Sequence, residues 1–214
     1  MARVVVSLAM SLDGFIAGRE DGADQPLGAG GQRLFEWYFD GDTPVRGYRQ
    51  AAERGVPVPR FKLSKSSAEV FADVIARTGA VVTGRRTYDI TDGWGGNGPL
   101  PGVPLFVLTH EAPARWPRGE SSYTFVTDGV ESAITQAKAA AGAKDVGVMG
   151  ASVAQQCLRA GLLDEVQVHL VPVLLGGGVR LFDHLGPDVI DLRPIAVVDS
   201  PGVTHLRYDV VRAG

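Results

Sequence analysis

The chain has 214 residues, 45% of them hydrophobic, with a formal net charge of −3; this suits one generous domain with a sizeable core. The mild acidity, with a pI near 5.8, argues against nucleic acid as the main partner. A single cysteine, Cys157, excludes an internal disulfide, no Cys/His cluster has zinc spacing, and the short apolar N-terminus lacks both a cleavage pattern and the length to cross a bilayer, so a soluble cytosolic protein is expected.

In chain order, residues 3–10, "RVVVSLAM", are rich in β-branched residues and predict a buried strand. "SLDGFIAG" follows as a Gly-punctuated loop with room for a short strand. Asp13 there either orients a substrate or starts an Asp-Gly turn. Residues 19–66 are too polar and too Gly/Pro-broken for core elements, and too aromatic for a plain linker, so they read as a long functional loop or partner surface. Within them Trp37, Tyr38 and Phe39 either stack on a flat heterocycle or pack under the loop.

Val70, Phe71, Val74 and Ile75 recur at helical spacing, with Gly79 as a stop. Glu69 and Asp73 fall on the solvated side of that helix. Strands are expected at 80–84, 104–110 and 123–128. The Ala-rich stretch 129–142 predicts a helix capped by Thr127 or Asp128 and closed by Gly142. A strand at 144–150, a helix at 152–161 and a long strand at 165–175 follow. The last run, 189–211, reads as a β-hairpin around "DSPG". Alternating strands and helices imply a mainly parallel sheet covered on both faces, made mixed by the closing hairpin. His169 and His205 lie within strands and read as structural residues.

Three strand ends carry groups suited to phosphate. In "TGRRTYD" the strand stops at Thr83 and Gly84 allows a turn. Arg85 and Arg86 then point different ways, so one can fork on a phosphate while the other covers the surface or an adenine face. The alternative is a solvated pair balanced by Asp89 and Asp92. Thr87 adds a hydroxyl and a first-turn amide. "FVLTH" ends in Thr109 and His110 at the carboxyl edge, where ligands of open α/β sheets sit. In "VGVMGASVAQQ" the small residues Gly150, Ala151 and Ser152 open a helix, and Ser152 with Gln155 has capping-box spacing. Gly176, Gly177 and Gly178 either allow close approach to a ring or only a sharp turn. There is no nucleophile elbow, Walker loop or G-x-G-x-x-G. Phosphate grips without a nucleophile suit a hydride-donating cofactor, and the paired arginines suit the 2′-phosphate of NADPH.

These pieces, "SLAMSLDGFIAG", "GAVVTGRRTYD", "PLFVLTH" and above all "VGVMGASVAQQCLRAGLLDEVQVHLVPVLLGGGVRLF", together resemble the dihydrofolate reductase-like superfamily, and more closely the RibD C-terminal (riboflavin biosynthesis reductase) domain family. The resemblance implies a single α/β domain with a mixed, mostly parallel sheet, flanking helices and a C-terminal hairpin. It implies an NADPH-dependent reductase, often a homodimer. Carried onto this chain, Arg85 and Thr87 would grip cofactor phosphates and Thr109 would sit near the adenosine phosphate. Gly150, Ala151, Ser152 and Val153 would line the pyrophosphate and nicotinamide ribose. The loop at Ala17 and Gly18 would close over the nicotinamide, and Asp13 would face the substrate. Ala151 stands where the family commonly has a second glycine. Neither Glu69 nor Asp73 falls in a convincing pterin-binding motif, and no zinc-binding deaminase domain is present. The expected function is reduction of a small heterocycle or ribosylamino-pyrimidine, with a dihydrofolate reductase or a non-catalytic NADPH-binding sensor or scaffold as alternatives.

Overall fold

The alternation of the N-terminal residues sets the layers of the molecule. In the computed structural model, which describes residues 2–211, β1 (Val4–Ser11) turns Val4 and Val6 to one face of a sheet and Val5, Ser7 and Ala9 to the other. The short β2 (Phe15–Ala17) follows. The long segment after it is ordered. It holds a 3₁₀ helix at Gly31–Tyr38, then β3 (Thr43–Pro44), α1 (Arg46–Glu53) and β4 (Lys62–Leu63). Next come α2 (Lys65–Arg77), β5 (Thr78–Gly84), α3 (Arg85–Ile90), β6 (Leu105–Leu108) and β7 (Tyr123–Val126). The chain closes with α4 (Val130–Ala141), β8 (Asp145–Met149), α5 (Ala151–Arg159), β9 (Glu165–Val171), β10 (Val179–Arg180), β11 (Leu192–Ser200) and β12 (Val203–Val210).

Eight strands form one sheet in the order β11-β12-β9-β1-β8-β5-β6-β7. The six from β9 to β7 are parallel, and the final hairpin adds β12 and β11 antiparallel. This is the mixed, mostly parallel sheet that the alternating pattern predicts. One face is covered by α4 and α5. Ala133, Ala137 and Ala141 lie one turn apart and fully or nearly buried, and their small side chains let α4 sit close to the strands. The other face is covered by α2, the 3₁₀ helix and the aromatic ring of contacts around Trp37.

Several local expectations differ. Helix α2 stops at Arg77, and Gly79, two residues past its end as expected, already lies inside β5 at a register shift. The first residue before α4 is Gly129 with no side-chain cap, so neither Thr127 nor Asp128 plays that role. Ser152 lies inside α5, and Gln155 donates to the carbonyls of Arg180 and Leu181 instead of capping. The cap that does form is Ser64, whose hydroxyl accepts from Ser67 N–H at the start of α2.

Two polar clusters are buried under α2. Glu165 is fully buried and paired with Arg77, Arg207 and Arg3. Burial alone would raise its pKa, but the hydrogen bonds and charges of Arg77 and Arg207 outweigh that and hold it below the usual range. His169 and His205 face each other across β9 and β12 with Nδ1 atoms 2.8 Å apart. Burial pushes them down to about 3 and about 4 respectively, from 6.5. Both rings are therefore neutral in the folded protein and take up protons below about pH 6.5 only when unfolded. Folding stability is expected to be complete above that pH and to fall steadily between pH 6.5 and 4.5. Chemical denaturation at pH 7.5, 6.0 and 4.5 checks this; a flat profile across that window contradicts it.

Candidate functional site

The connection order decides where the site lies. Chain leaving β1 skips a place to form β5, runs outward through β6 and β7, and returns as β8 between β1 and β5. The carboxyl ends of β5, β6 and β8 therefore lie side by side, at the switch point where open α/β sheets bind ligands. They border a cleft of about 1300 Å³, larger than the roughly 300–1,000 Å³ of an ordinary single-ligand pocket.

Of the residues expected at the site, Ala17, Gly84, Arg85, Arg86, Thr87, Thr109, His110, Gly150, Ala151, Ser152 and Val153 all line this one cleft. Gly150 is the junction. Its φ is +94°, and a Cβ there would lie 2.7 Å from Thr87 Oγ1. Only a glycine lets the β8 turn close onto α3. Gly150 carries no side-chain cap, and the first turn of α5, Ala151 to Val153, borders the cleft, where uncapped helix N–H groups are suited to an anion.

The arginines sit at the mouth and are already engaged. Arg85 donates from Nε to Asp89 at 2.8 Å and from Nη1 to the carbonyl of Glu111 at 2.9 Å. Arg86 reaches back to Asp21, contacting its carboxylate at 2.7 Å and its carbonyl at 2.6 Å. A smaller recess of about 420 Å³ lies between both guanidinium groups and Gly22 and Ala23. These exposed ion pairs are worth little in water, so a phosphate can replace the carboxylates at small cost. Thr109 is buried and its hydroxyl forms a local turn with Glu111.

Five expected residues are placed elsewhere. Asp13 is off the cleft lining. Its carboxylate accepts from Ser11 Oγ at 2.6 Å, Gly176 N at 2.7 Å and Leu175 N at 3.1 Å, and these bonds, the Ser11 one foremost, hold its pKa at about 2. An ionised, fully engaged carboxylate is a poor proton donor. Gly18 packs on the backbone of Ala29. Gly176 lies beside Asp13 and Arg19, and Gly177 packs on Arg19, off the cleft lining. Their neighbour Gly178, at φ +134°, approaches the carbonyl of Ala17 so closely that a Cβ would stand 2.0 Å from it, which lets β10 pair with β2. Trp37 is buried and packs on Phe71, His169 and His205; stacking on a ligand is not its role.

The remaining wall comes from residues that sequence inspection did not assign to the site. Tyr48, Phe61, Phe71 and Ile75 line one side, from the long segment and α2. Opposite stands the turn at 92–98, where Asp92 and Trp94 share positive φ with Gly93, Gly95 and Gly96. Non-glycine residues held so cost on the order of 1–3 kcal/mol each. The dense glycines of "DGWGGNG" were the available signal. Tyr48 Oη donates to the carbonyl of Pro99 at 2.6 Å and ties the two walls together; burial raises its pKa to about 12, so it stays a neutral donor.

Among known proteins, the RibD C-terminal domain family matches residues 2–206. A putative riboflavin biosynthesis protein from Shewanella sp. PV-4 is 24% identical, with a TM-score of 0.66 over 99% of this chain and 100% of that one. A pyrimidine reductase-like protein from Corynebacterium diphtheriae is 15% identical, with a TM-score of 0.55 over 99% and 93%. The diaminohydroxyphosphoribosylaminopyrimidine deaminase/5-amino-6-(5-phosphoribosylamino)uracil reductase of Thermotoga maritima is 14% identical, with a TM-score of 0.55; the match covers 98% of this chain and 57% of that longer one. At these identities the likeness shows a shared fold. No curated protein matches.

The Gly150 junction gives a direct check. Gly150→Ala is expected to destabilise the protein by about 1–3 kcal/mol, whereas Gly22→Ala, at ordinary φ in open space, changes stability by less than about 0.5 kcal/mol. Thermal unfolding of the two variants side by side measures this, and equal stabilities count against the junction.

Proposed function

Because the chain belongs to the RibD C-terminal domain family, we propose that it is an NADPH-dependent reductase of a small heterocycle, of the 5-amino-6-(5-phosphoribosylamino)uracil type, acting in the cytoplasm as a homodimer. The observation that carries the reading is the convergence of Arg85, Thr87, Thr109 and the Gly150–Val153 helix start on one cleft.

The residues present fit such a cofactor. The uncapped start of α5 suits the pyrophosphate. The arginine pole suits the extra phosphate, with the planar fork of Arg85 as the specific contact. The volume leaves space beside a dinucleotide for a substrate. When bound, NADPH supplies the hydride, and the protein supplies orientation and exclusion of water. The Tyr48, Phe61 and Phe71 rings offer flat apolar surface for a heterocycle.

The folate alternative loses support. Folate reductases place a buried carboxylate on the corresponding helix, but Glu69 and Asp73 are exposed and neither lines the cleft. Among the described residues no helix is long and apolar enough to cross a membrane.

The dimer reading rests on the sheet edge. Strand β11 is the outermost strand and exposes Leu192, Ile195 and Val197. An apolar edge left open invites pairing, and a second copy of the chain covers it most economically.

Arg85→Ala is expected to weaken NADPH by about 10- to 100-fold, the worth of a charge-assisted hydrogen bond, and NADH by far less. Titration of both cofactors by fluorescence tests this, and equal losses sink the assignment. NADPH oxidation should depend on added 5-amino-6-(5-phosphoribosylamino)uracil; tight NADPH binding without turnover favours a sensor. Val197→Lys is expected to convert the dimer to monomer in light-scattering measurements, and a monomeric wild type refutes the dimer.

A further inference from the structure

The reductase reading leaves one chemical need unmet. Hydride addition to a C=N carbon leaves charge on nitrogen, which takes a proton. Asp13 lies off the cleft with its carboxylate engaged, and Tyr48 spends its hydroxyl proton on Pro99.

Ser7 stands between Val5 and Ala9 on the cleft floor that β1 contributes, and Phe71 and Ile75 of α2 line the same cleft. It is half-buried, and it begins a continuous line of side-chain hydrogen bonds through the protein. Its Oγ lies 3.1 Å from His169 Nε2. His169 Nδ1 lies 2.8 Å from His205 Nδ1, and His205 Nε2 lies 2.9 Å from Ser67 Oγ. Ser67 meets Ser200 at 2.8 Å, and Ser200 meets both Ser64 and Ser66 at 2.7 Å. Ser64 and Ser66 are again half-buried. The line is thus closed to water in its middle, where Trp37 packs on both imidazoles, and open at each end.

We propose that Ser7 delivers the proton to the reduced substrate and is recharged through His169, His205, Ser67 and Ser200 from solvent at Ser64 and Ser66. This rests on the reductase reading above. The geometry fixes the bookkeeping. Two neutral imidazoles sharing one Nδ1···Nδ1 bond must be opposite tautomers. In the loaded state His205 carries its proton on Nδ1 and donates to His169. His169 carries its proton on Nε2 and donates to Ser7. The carbon of the C=N bond receives hydride from NADPH, and its nitrogen takes the Ser7 hydroxyl proton. Ser7 takes the Nε2 proton of His169, His169 Nδ1 takes the Nδ1 proton of His205, and His205 Nε2 takes the hydroxyl proton of Ser67. Ser67 is refilled through Ser200 from water. Both rings exchange tautomers and neither becomes charged, which suits a site where burial disfavours imidazolium. Once product leaves, the line runs back: Ser7 takes a proton from water in the open cleft and passes its own to His169 Nε2, while Ser64 or Ser66 returns one to solvent, which restores the loaded tautomers. A purely structural role explains less. Apolar residues of similar shape in place of a buried polar pair are commonly neutral or stabilising, yet this core keeps an unbroken polar line with both ends reaching water.

Ser7 is the catalytic residue of this scheme; His169, His205 and Ser67 act through it. The test uses the full chain with NADPH and 5-amino-6-(5-phosphoribosylamino)uracil. Ser7→Ala is expected to lower kcat on the order of 100-fold, to leave KM and NADPH affinity within about twofold, and to be partly rescued by Ser7→Thr. Ser67→Ala should lower kcat with KM unchanged and enlarge the solvent deuterium effect on kcat. Imidazole ¹⁵N NMR of the cofactor-free protein should show His169 and His205 as opposite neutral tautomers. Wild-type kcat in Ser7→Ala, or two like tautomers, overturns the relay. Wild-type protein that binds no NADPH overturns the reductase reading itself, and the relay with it.

Discussion

The placement of β8 between β1 and β5 is the constraint from which the site follows. It puts the Gly150 turn against Thr87, so closely that a single Cβ would collide. Because of that contact, a helix start, an arginine pair and a threonine turn from three separate stretches of chain border one cleft. Parallel strands force this economy: every connection must cross over, and each crossover delivers its loop to the same edge of the sheet.

The two faces of the sheet divide the work. The α4/α5 face is uniformly apolar and supplies stability through burial. The α2 face carries Glu165 with its arginines, the two histidines and the serine cluster. Buried charge and buried polar lines seldom improve stability over well-packed apolar groups. They concentrate on the face that also floors the cleft. The long segment completes this side. Its aromatic residues seal the histidines from water at Trp37 and line the cleft at Tyr48 and Phe61. The same segment sends Asp21 to the mouth, where it occupies Arg86.

Much of the fold was legible. The β-branched runs of β1, β5, β8 and β9, the Ala-rich pattern of α4 and the closing hairpin all appear where periodicity puts them, within a few residues. The misassigned details were local polar ones. Ser152 and Gln155 have capping-box spacing, but Gln155 finds two buried carbonyls near β10, a contact 25 or 26 residues away that no local pattern encodes. Asp13 reads as a substrate-orienting group or the start of an Asp-Gly turn; what no local pattern encodes is that its carboxylate also organises the loop after β9, more than 160 residues on. The triple glycine reads as unusual; that it serves the pairing of β10 with β2 becomes visible only when Gly178 is seen against Ala17. His169 and His205 look unremarkable singly, since each is one residue in a strand.

What the sequence determined by itself is therefore the layer structure and the chemistry at each strand end: periodicity of 2 and 3.6 is a property of short windows, and so are a Gly-Arg-Arg-Thr turn and a Gly-Ala-Ser helix start. What only the tertiary structure decided is which of those groups meet. Strand order placed Arg85 and Gly150 on the same cleft and left Trp37 and Gly176 outside it. Cross-strand register joined Ser7, His169, His205 and Ser67 into one line. The physical reason is range: backbone preferences act over a few residues, whereas a hydrogen bond or a close contact depends on where the sheet carries its ends.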